Sequence, residues 1–328
     1  MTTPKRRRNG FTIIEILVVV GIIAVLVGIL LPALSGAQKR SRKNTELSFL
    51  RQVGMAWLMY ANNYDDSAMP GYLEQGVQEL WAVDWETTFR KTITNPLVSG
   101  PYTWRLMPFL DFNPDVLQFH DDSRELDLSQ DEHVEFFARH PAFGYNGYYI
   151  GGWWREVTIG GTTVAKAAFH DAIDGDGGPA NVVATRVTQI RRPTEVLTFC
   201  STTPAIKGIM KSNDSLKGSH IAHAPRVGVD EHWTTSFGAG SGGSGMQQEF
   251  LAGSEYEPYA FNRSAVPLGR FTKLVAVVFA DGHTETQTAG GLSDIRKWVP
   301  SADDRSFTHT TGSLVSPGFT SNFNGGGP

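Results

Sequence analysis

The stretch that decides the fold is FTIIEILVVVGIIAVLVGILL, residues 11–31, an apolar run with a single charge at Glu15. At a helical rise of about 1.5 Å per residue it spans about 30 Å, the thickness of the hydrocarbon core of a bilayer. The basic cluster KRRR, residues 5–8, lies just before it. Because cytoplasmic flanks carry the excess of Lys and Arg, the pattern predicts a single membrane-spanning helix with a cytoplasmic N-terminus.

Glu15 is the unusual residue of this run, because an acidic side chain in a membrane helix costs about 2.5 to 3.5 kcal/mol on insertion scales. Two interpretations stay open. Glu15 lies within about one turn of the cytoplasmic interface, where its carboxylate can snorkel to water. Alternatively, it has a functional partner, which must be a cation at the same depth in the membrane.

Several features together resemble the N-terminus of type IV pilins and pseudopilins. These are a short basic leader that ends in Gly10, then Phe11 and Thr12, a glutamate at Glu15 and an unbroken apolar helix. Pro32 falls where many members of that family place a helix-kinking proline. The resemblance implies an α+β pilin-like fold, in which a long N-terminal helix packs on an antiparallel sheet with loop-rich insertions.

The resemblance also implies roles for three residues. A prepilin peptidase is expected to cut between Gly10 and Phe11 and to methylate the new amino group of Phe11, which keeps its positive charge. Glu15 is expected to pair with the terminal amine of a neighbouring subunit. In a low dielectric each charge is costly alone and tolerated as a pair, so the contact selects the axial register of assembly.

Two other interpretations of the N-terminus compete with this one. A secretory signal peptide would place its cleavage site at the small residues Ala33, Ser35 and Ala37, but its apolar core runs only about 7 to 15 residues. The second is a plain membrane anchor that does not assemble.

The chain from 32 to 64 predicts a continuation of the helix out of the membrane. Apolar and small residues recur at spacings of three and four, namely Leu47, Leu50, Gly54, Trp57, Ala61 and Tyr64. We expect this stripe to pack on a sheet, with Trp57 and Tyr60 in the core. The opposite, polar face is expected to carry Arg40, Arg42, Lys43, Glu46 and Arg51. The run NNYDDSAMP, residues 62–70, predicts the helix end.

The rest of the chain, 65–328, predicts a β-rich extracytoplasmic domain. Three segments resemble, in order, a pilin-like subfamily with a C-terminal Asp-Gly pair: FGYNGYYIGG at 143–152, VTQIRRPTEVLTFC at 187–200 and LVAVVFADGHTETQ at 274–287. Asn146-Gly147 predicts a tight turn between strands, and Asp281-Gly282 predicts a hairpin. The subfamily histidine ten residues before that pair is replaced by Phe271, so no role of that histidine is transferred. Cys200 is expected to be a buried, inert thiol.

One loop has the composition of a cation site. HDAIDGDGG, residues 170–178, brings Asp171, Asp174 and Asp176 close together among glycines, and oxygen-rich loops of this kind suit Ca²⁺. The spacing is not that of an EF-hand, so a calcium site is a hypothesis here. His220, His223 and His232 are candidate zinc ligands, but the HxxH spacing is a weak signal without supporting cysteines.

Composition and motifs limit the function further. The net charge is −4, and removal of the four leader cations in residues 5–8 leaves −8, so bulk charge predicts no nucleic-acid partner. No GxSxG, HExxH or Walker motif occurs, which disfavours an enzyme. The GxGxxG pattern at Gly238, Gly240 and Gly243 lacks the preceding strand and the following helix that nucleotide binding requires. The segments 1–10, 11–31, 32–64 and 65–328 are thus predicted to be leader, transmembrane helix, amphipathic helix and head.

The resemblance favours a pseudopilin of a type II secretion pseudopilus, held in the inner membrane with its head in the periplasm. Its expected partners are other pilin subunits, the prepilin peptidase and the inner-membrane assembly platform. Two alternatives remain: a subunit of a surface type IV pilus, and a membrane-tethered binding or enzymatic domain. Residues 71–142 have several tryptophans and no clean periodicity, and the sequence assigns them no role.

Overall fold

The structure is a computed structural model, and it describes residues 12–82, 85–86, 92–93, 95–118, 128–167, 182–202, 218–227, 230–231, 267, 269–270 and 274–303. Within these ranges the helices are α1 Ile13–Asn63, α2 Gln75–Leu80, α3 Pro96–Ser99, α4 Thr103–Leu106, α5 Asp131–Arg139 and α6 Ala289–Leu292. Short 3-10 helices lie at Met107–Leu110, Pro114–Val116, Val187–Gln189 and Ile295–Lys297. The strands are β1 Tyr72–Leu73, β2 Trp85–Glu86, β3 Thr92–Ile93, β4 Phe143–Tyr145, β5 Trp153–Ile159, β6 Thr162–Ala167, β7 Leu197–Ser201, β8 Arg226–Val227, β9 Asp230–Glu231, β10 Val275–Phe279 and β11 Thr284–Gln287.

The helix α1 runs unbroken for 51 residues and contains Pro32. A proline inside a helix lacks the N–H that would bond four residues back, yet the helix continues on both sides of it. The helix ends where predicted, because Asp65 and Asp66 adopt positive φ angles of 51° and 67°. The Asp66 N–H donates to the carbonyl of Ala61 at 2.9 Å and closes the last turn.

The main sheet has four antiparallel strands in the order β11-β10-β7-β4. Its central strand β10 is apolar throughout and buried on both faces. Alternate residues of this strand point to opposite faces. Ala276 and Val278 face α1, whereas Val275, Val277 and Phe279 contact a second layer formed by the segment 292–302.

The helix α1 contacts the sheet at Gly54, a residue without a Cβ atom. A Cβ atom added at Gly54 would lie 2.5 Å from Cγ2 of Val278, so glycine is what lets the two backbones approach. The other side of α1 contacts α4 and the two 3-10 helices that follow it. Residues 71–142, which the sequence left without a role, therefore contribute to the packing around α1: Tyr102, Trp104, Leu106, Met107 and Phe137 are buried in the same cluster as Leu50 and Trp57.

A second sheet, β1-β5-β6, lies beside the main one. The strand β1 pairs with β5 in parallel, and β5 forms a hairpin with β6. The turn of that hairpin is Gly160-Gly161, with φ angles of +57° and +83° that favour glycine. The remaining pairs, β2-β3 and β8-β9, are two-residue ladders.

The predicted α+β, pilin-like fold is confirmed by the long N-terminal helix and the antiparallel sheet. The Asp281-Gly282 hairpin is confirmed: β10 and β11 pair around it, and Gly282 has a φ of +87°. Cys200 is buried in β7 as expected. Its desolvation raises the pKa of the thiol well above its ordinary value.

Three predictions about local structure were wrong. Tyr64, expected on the buried stripe, is 42 % exposed because the chain leaves the helix there. Asn146-Gly147 forms a turn, but the turn does not join two paired strands: the Asn146 carbonyl accepts from Ile150 N at 3.0 Å, and the next strand belongs to the other sheet. Glu46, expected on the solvent face of the helix, is buried.

Candidate functional site: the N-terminal helix and its junction with the head

The first turn of α1 is organised by Thr12 and Glu15. The Thr12 hydroxyl oxygen accepts from the Glu15 N–H at 3.3 Å, and the Glu15 carboxylate accepts from the Thr12 N–H and hydroxyl, both at 2.8 Å. This reciprocal arrangement is a capping box, which satisfies orphan donors at a helix N-terminus. A carboxylate is also favoured there by the helix dipole.

The sequence contained the signal for this cap. Thr12 and Glu15 stand three residues apart directly before an apolar run, the T-x-x-E spacing of a capping box. The expected role of Glu15 in assembly stays a prediction. The predicted processing residues Gly10 and Phe11 lie outside the described residues, so the structure does not test them.

The half of α1 that follows has no partner among the residues that the structure describes. Every residue from 12 to 42 is exposed, and the large apolar side chains between Ile13 and Leu34 are 44 % to 83 % exposed. This half of α1 is long and apolar enough to cross a membrane. In water so large an apolar surface is strongly unfavourable. The helix therefore requires lipid, or other apolar helices, around its first part.

The same helix becomes the core of the head from Glu46 onward. The Ser201 hydroxyl, at the end of β7, donates to the Glu46 carboxylate, and Arg270 Nε lies 3.6 Å from Glu46 Oε1. The Arg270 guanidinium also donates to the carbonyls of Ala142 at 2.6 Å and Thr202 at 2.8 Å. One buried acid thus joins α1 to β7 and to the segment at 270.

Burial dominates the electrostatics of this joint. Desolvation raises the pKa of Glu46 to about 7, although Arg270, the Ser201 hydroxyl and Lys43 favour the charged form. A buried charge is costly even when paired, so near neutral pH the carboxyl group is held close to its titration point. No sequence signal predicts this contact, because Arg270 belongs to no recognisable motif or periodic element.

A second buried network holds the head to α1. The indole N–H of Trp57 donates to the Tyr145 hydroxyl at 2.9 Å, and that hydroxyl donates to the carbonyl of Met69 at 3.0 Å. The Asn146 side chain donates to the carbonyls of Leu197 at 3.0 Å and Trp298 at 2.7 Å. The segment 143–152 therefore positions the helix, the sheet and the C-terminal layer together.

The candidate metal residues lie only partly in the described part of the chain, and His232 falls outside it. Asp171, Asp174 and Asp176 lie outside the described residues, so the calcium hypothesis is untested. His220 and His223 are buried, and no group of three metal-binding side chains occurs in the described ranges. Burial lowers the pKa of His220 to about 4. Its ring packs against Tyr72, with the centroids 5.6 Å apart.

The fold and this helix define a class: an α+β protein whose N-terminal helix is half exposed and apolar and half core. Residues 5–31 match the family model of the prokaryotic N-terminal methylation motif. No curated protein and no solved structure matches the chain.

The resemblance to the type IV pilin and pseudopilin family is thereby confirmed at the N-terminus. The motif indicates a structural, pilin-like subunit. It implies processing by a prepilin peptidase and assembly with other pilin subunits. The subfamily with the C-terminal Asp-Gly pair stays a prediction.

Proposed function

We propose that this chain is a pseudopilin, which assembles through its N-terminal helix into a type II secretion pseudopilus. One observation carries the proposal: within one continuous helix, residues 12–42 are exposed whereas the part from Glu46 to Ala61 supplies core residues. One half of such a helix packs within the head, and the other half is exposed to partners outside the subunit. The prepilin-type N-terminus supports the proposal that those partners are other pilin subunits.

In the proposed sequence of events, residues 1–10 are a cytoplasmic leader and residues 11–31 span the inner membrane. The peptidase removes the leader after Gly10 and methylates Phe11, and the helix then leaves the bilayer for the filament. During this transfer the Glu15 carboxylate pairs with the new terminal amine of a neighbouring subunit. Residues 32–64 link the membrane to the head, 65–328, which faces the periplasm.

The test is the N-terminus of the chain purified from its own membranes. We expect Edman sequencing and intact mass to give a chain that starts at a methylated Phe11. A Gly10→Val variant should keep its leader, whereas the matched variant Gly36→Val should be processed normally. A native chain that starts at Met1, or one cut after Ala33 or Ala37, would overturn the assignment.

Two further measurements separate the pseudopilus from the alternatives. Deletion should abolish the export of secreted enzymes without removing surface filaments. Loss of filaments outside the cell, with secretion intact, would instead favour a surface type IV pilus. Binding or catalytic activity of the chain, with neither phenotype, would favour a tethered domain.

A further inference from the structure

A band of cations lies on α1 just beyond its apolar half. It consists of Lys39, Arg40, Arg42 and Lys43, which we call the basic band. Lys39, Arg40 and Arg42 are exposed and Lys43 is half-buried. None of these four belongs to a salt bridge within the described ranges. The band is a local exception, because the chain without its leader has a net charge of −8.

The basic band begins at the outer edge of the headgroup layer of a membrane, when that layer is counted from Leu34. Lys39 lies five residues beyond Leu34, the last large apolar residue of the exposed run, so about 7.5 Å further along the axis, and Lys43 lies about 13.5 Å beyond Leu34. Each headgroup layer is about 5 to 7.5 Å thick. Helical side chains lean toward the N-terminus, here toward the membrane, and the long stems of Lys and Arg extend that reach.

The band also lies on one side of the helix. At about 100° per residue its four members cover an arc of about 160°. Glu46, three residues after Lys43, is buried on that same side, and Lys43 Nζ lies 3.5 Å from Thr286 Oγ1 of β11. The cations therefore lie beneath the head, between it and the membrane surface.

Membrane orientation does not account for the cations of the basic band. Segments just outside a membrane helix on the non-cytoplasmic side are normally poor in Lys and Arg, because the excess sets orientation. The band places four of them there, as many as the leader carries in residues 5–8. A positive surface at headgroup depth has a matching ligand in the phosphate of an anionic lipid.

We propose that the basic band binds the headgroups of anionic phospholipids on the outward face of the membrane, and so holds the head against the bilayer before assembly. This inference rests on the membrane-spanning role in the proposed function. Its consequence is that extraction into a filament must break these contacts, so lipid charge would tune how readily the subunit leaves the membrane.

The experiment uses the full chain reconstituted in nanodiscs that contain equal amounts of phosphatidylglycerol and phosphatidylethanolamine. The retained lipid is quantified after mild detergent stripping. We expect enrichment of phosphatidylglycerol that falls as salt rises, because salt screens exposed charges. One cation near an anionic surface contributes about fivefold in affinity. The triple variant Lys39→Gln/Arg40→Gln/Arg42→Gln should lose at least that factor.

The matched control removes three exposed cations elsewhere, as Arg51→Gln/Arg186→Gln/Arg191→Gln. It changes the net charge equally and should keep the enrichment. Equal enrichment in wild type and band variant, or equal loss in both triples, would overturn the proposal. Normal lipid enrichment in a band variant that fails to associate with other copies would instead assign the band to a protein partner.

The two proposals fail in different ways. Insertion is measured separately, by flotation with vesicles of phosphatidylcholine only. A chain that does not insert there contradicts the membrane-spanning role itself. A chain that inserts without preferring phosphatidylglycerol contradicts only the inference about the basic band.

Discussion

Glu46 on α1 and Arg270 approach each other to 3.6 Å in the interior of the head, where both side chains are at most 3 % exposed. The pair joins the helix that carries the N-terminal motif to the sheet. Removal of one member of such a pair leaves the other buried without compensation, which typically costs about 3 to 5 kcal/mol.

We therefore expect Arg270→Met to lower the free energy of unfolding by about 3 kcal/mol or more at pH 8. The loss should be smaller at pH 5, where Glu46 is protonated. Denaturant titration of the full chain in micelles measures it. The control is Arg139→Met, which removes a half-exposed pair with Glu135 at 2.9 Å and should cost under about 1 kcal/mol.

The double variant Arg270→Met/Glu46→Gln tests the coupling. It should recover part of the loss at pH 8, because no uncompensated carboxylate remains. Strictly additive losses would show that the two residues act independently.

The pH dependence of stability is predicted from two buried groups with opposite shifts. The pKa of Glu46 is raised from 4.5 to about 7, so between these values the folded chain holds a proton that the unfolded chain has released. Rising pH then lowers the free energy of unfolding. The pKa of His220 is lowered from 6.5 to about 4, so the unfolded chain binds the extra proton. Rising pH then raises the free energy of unfolding.

The two effects oppose each other between about pH 4.5 and 6.5. The free energy of unfolding of the wild type should therefore change little with pH through these two groups in that window. Glu46→Gln should uncover a rise with pH of up to about 3 kcal/mol across this window, and His220→Asn should uncover a fall of similar size. Denaturant titrations at half-unit pH steps would show it. A flat profile in both variants would contradict the assignment.

Gly54 is predicted to be intolerant of a methyl group. Gly54→Ala brings a Cβ to 2.5 Å from a stiff, fully buried side chain of the central strand, Val278. Overpacking of this kind costs about 1 to 3 kcal/mol. Gly36→Ala, where no atom lies within 4 Å, should change stability by less than about 1 kcal/mol.

Thermal unfolding of the two variants gives the comparison. Adding Val278→Ala to Gly54→Ala makes room for the methyl group, so the double variant should lose less than the sum of the single losses. Equal stability of Gly54→Ala and wild type would show that the helix shifts freely on the sheet.

Glu15 is predicted to act between subunits rather than only within its own helix. Glu15→Ala should leave membrane insertion intact, because the apolar span is unchanged. Self-association should fall at least tenfold, since a buried amine would lose its counter-charge. Cross-linking in membranes and flotation measure the two properties.

Thr12→Val is the matched control, because it removes the hydroxyl of the capping box and keeps the carboxylate. Loss of this N-cap hydroxyl should destabilise the helix by about 1 kcal/mol. If Thr12→Val impairs association as much as Glu15→Ala, the cap geometry and not the charge is what assembly needs.

The sequence by itself determined the elements whose physical signals are local. A long apolar run before periodic positions predicts α1, the Asp-Gly pair between apolar and alternating residues predicts the β10-β11 hairpin, and NNYDDSAMP predicts the helix end. Each depends on hydrophobic period or turn chemistry within a few residues. The methylation motif is local in the same sense, which explains why residues 5–31 match a family model.

Only the tertiary structure decided which polar residues the head encloses. Glu46 is charged, which suits solvent, but it lies four residues before Leu50 on the buried side of the helix, where Ser201 and Arg270, 155 and 224 residues away in the chain, converge on it. The tryptophan-rich segment 71–142 has no period of its own, because its short helices take their order from packing on α1. Contacts between distant segments leave no spacing in a sequence, since burial is a property of the assembled layers and not of the local chain.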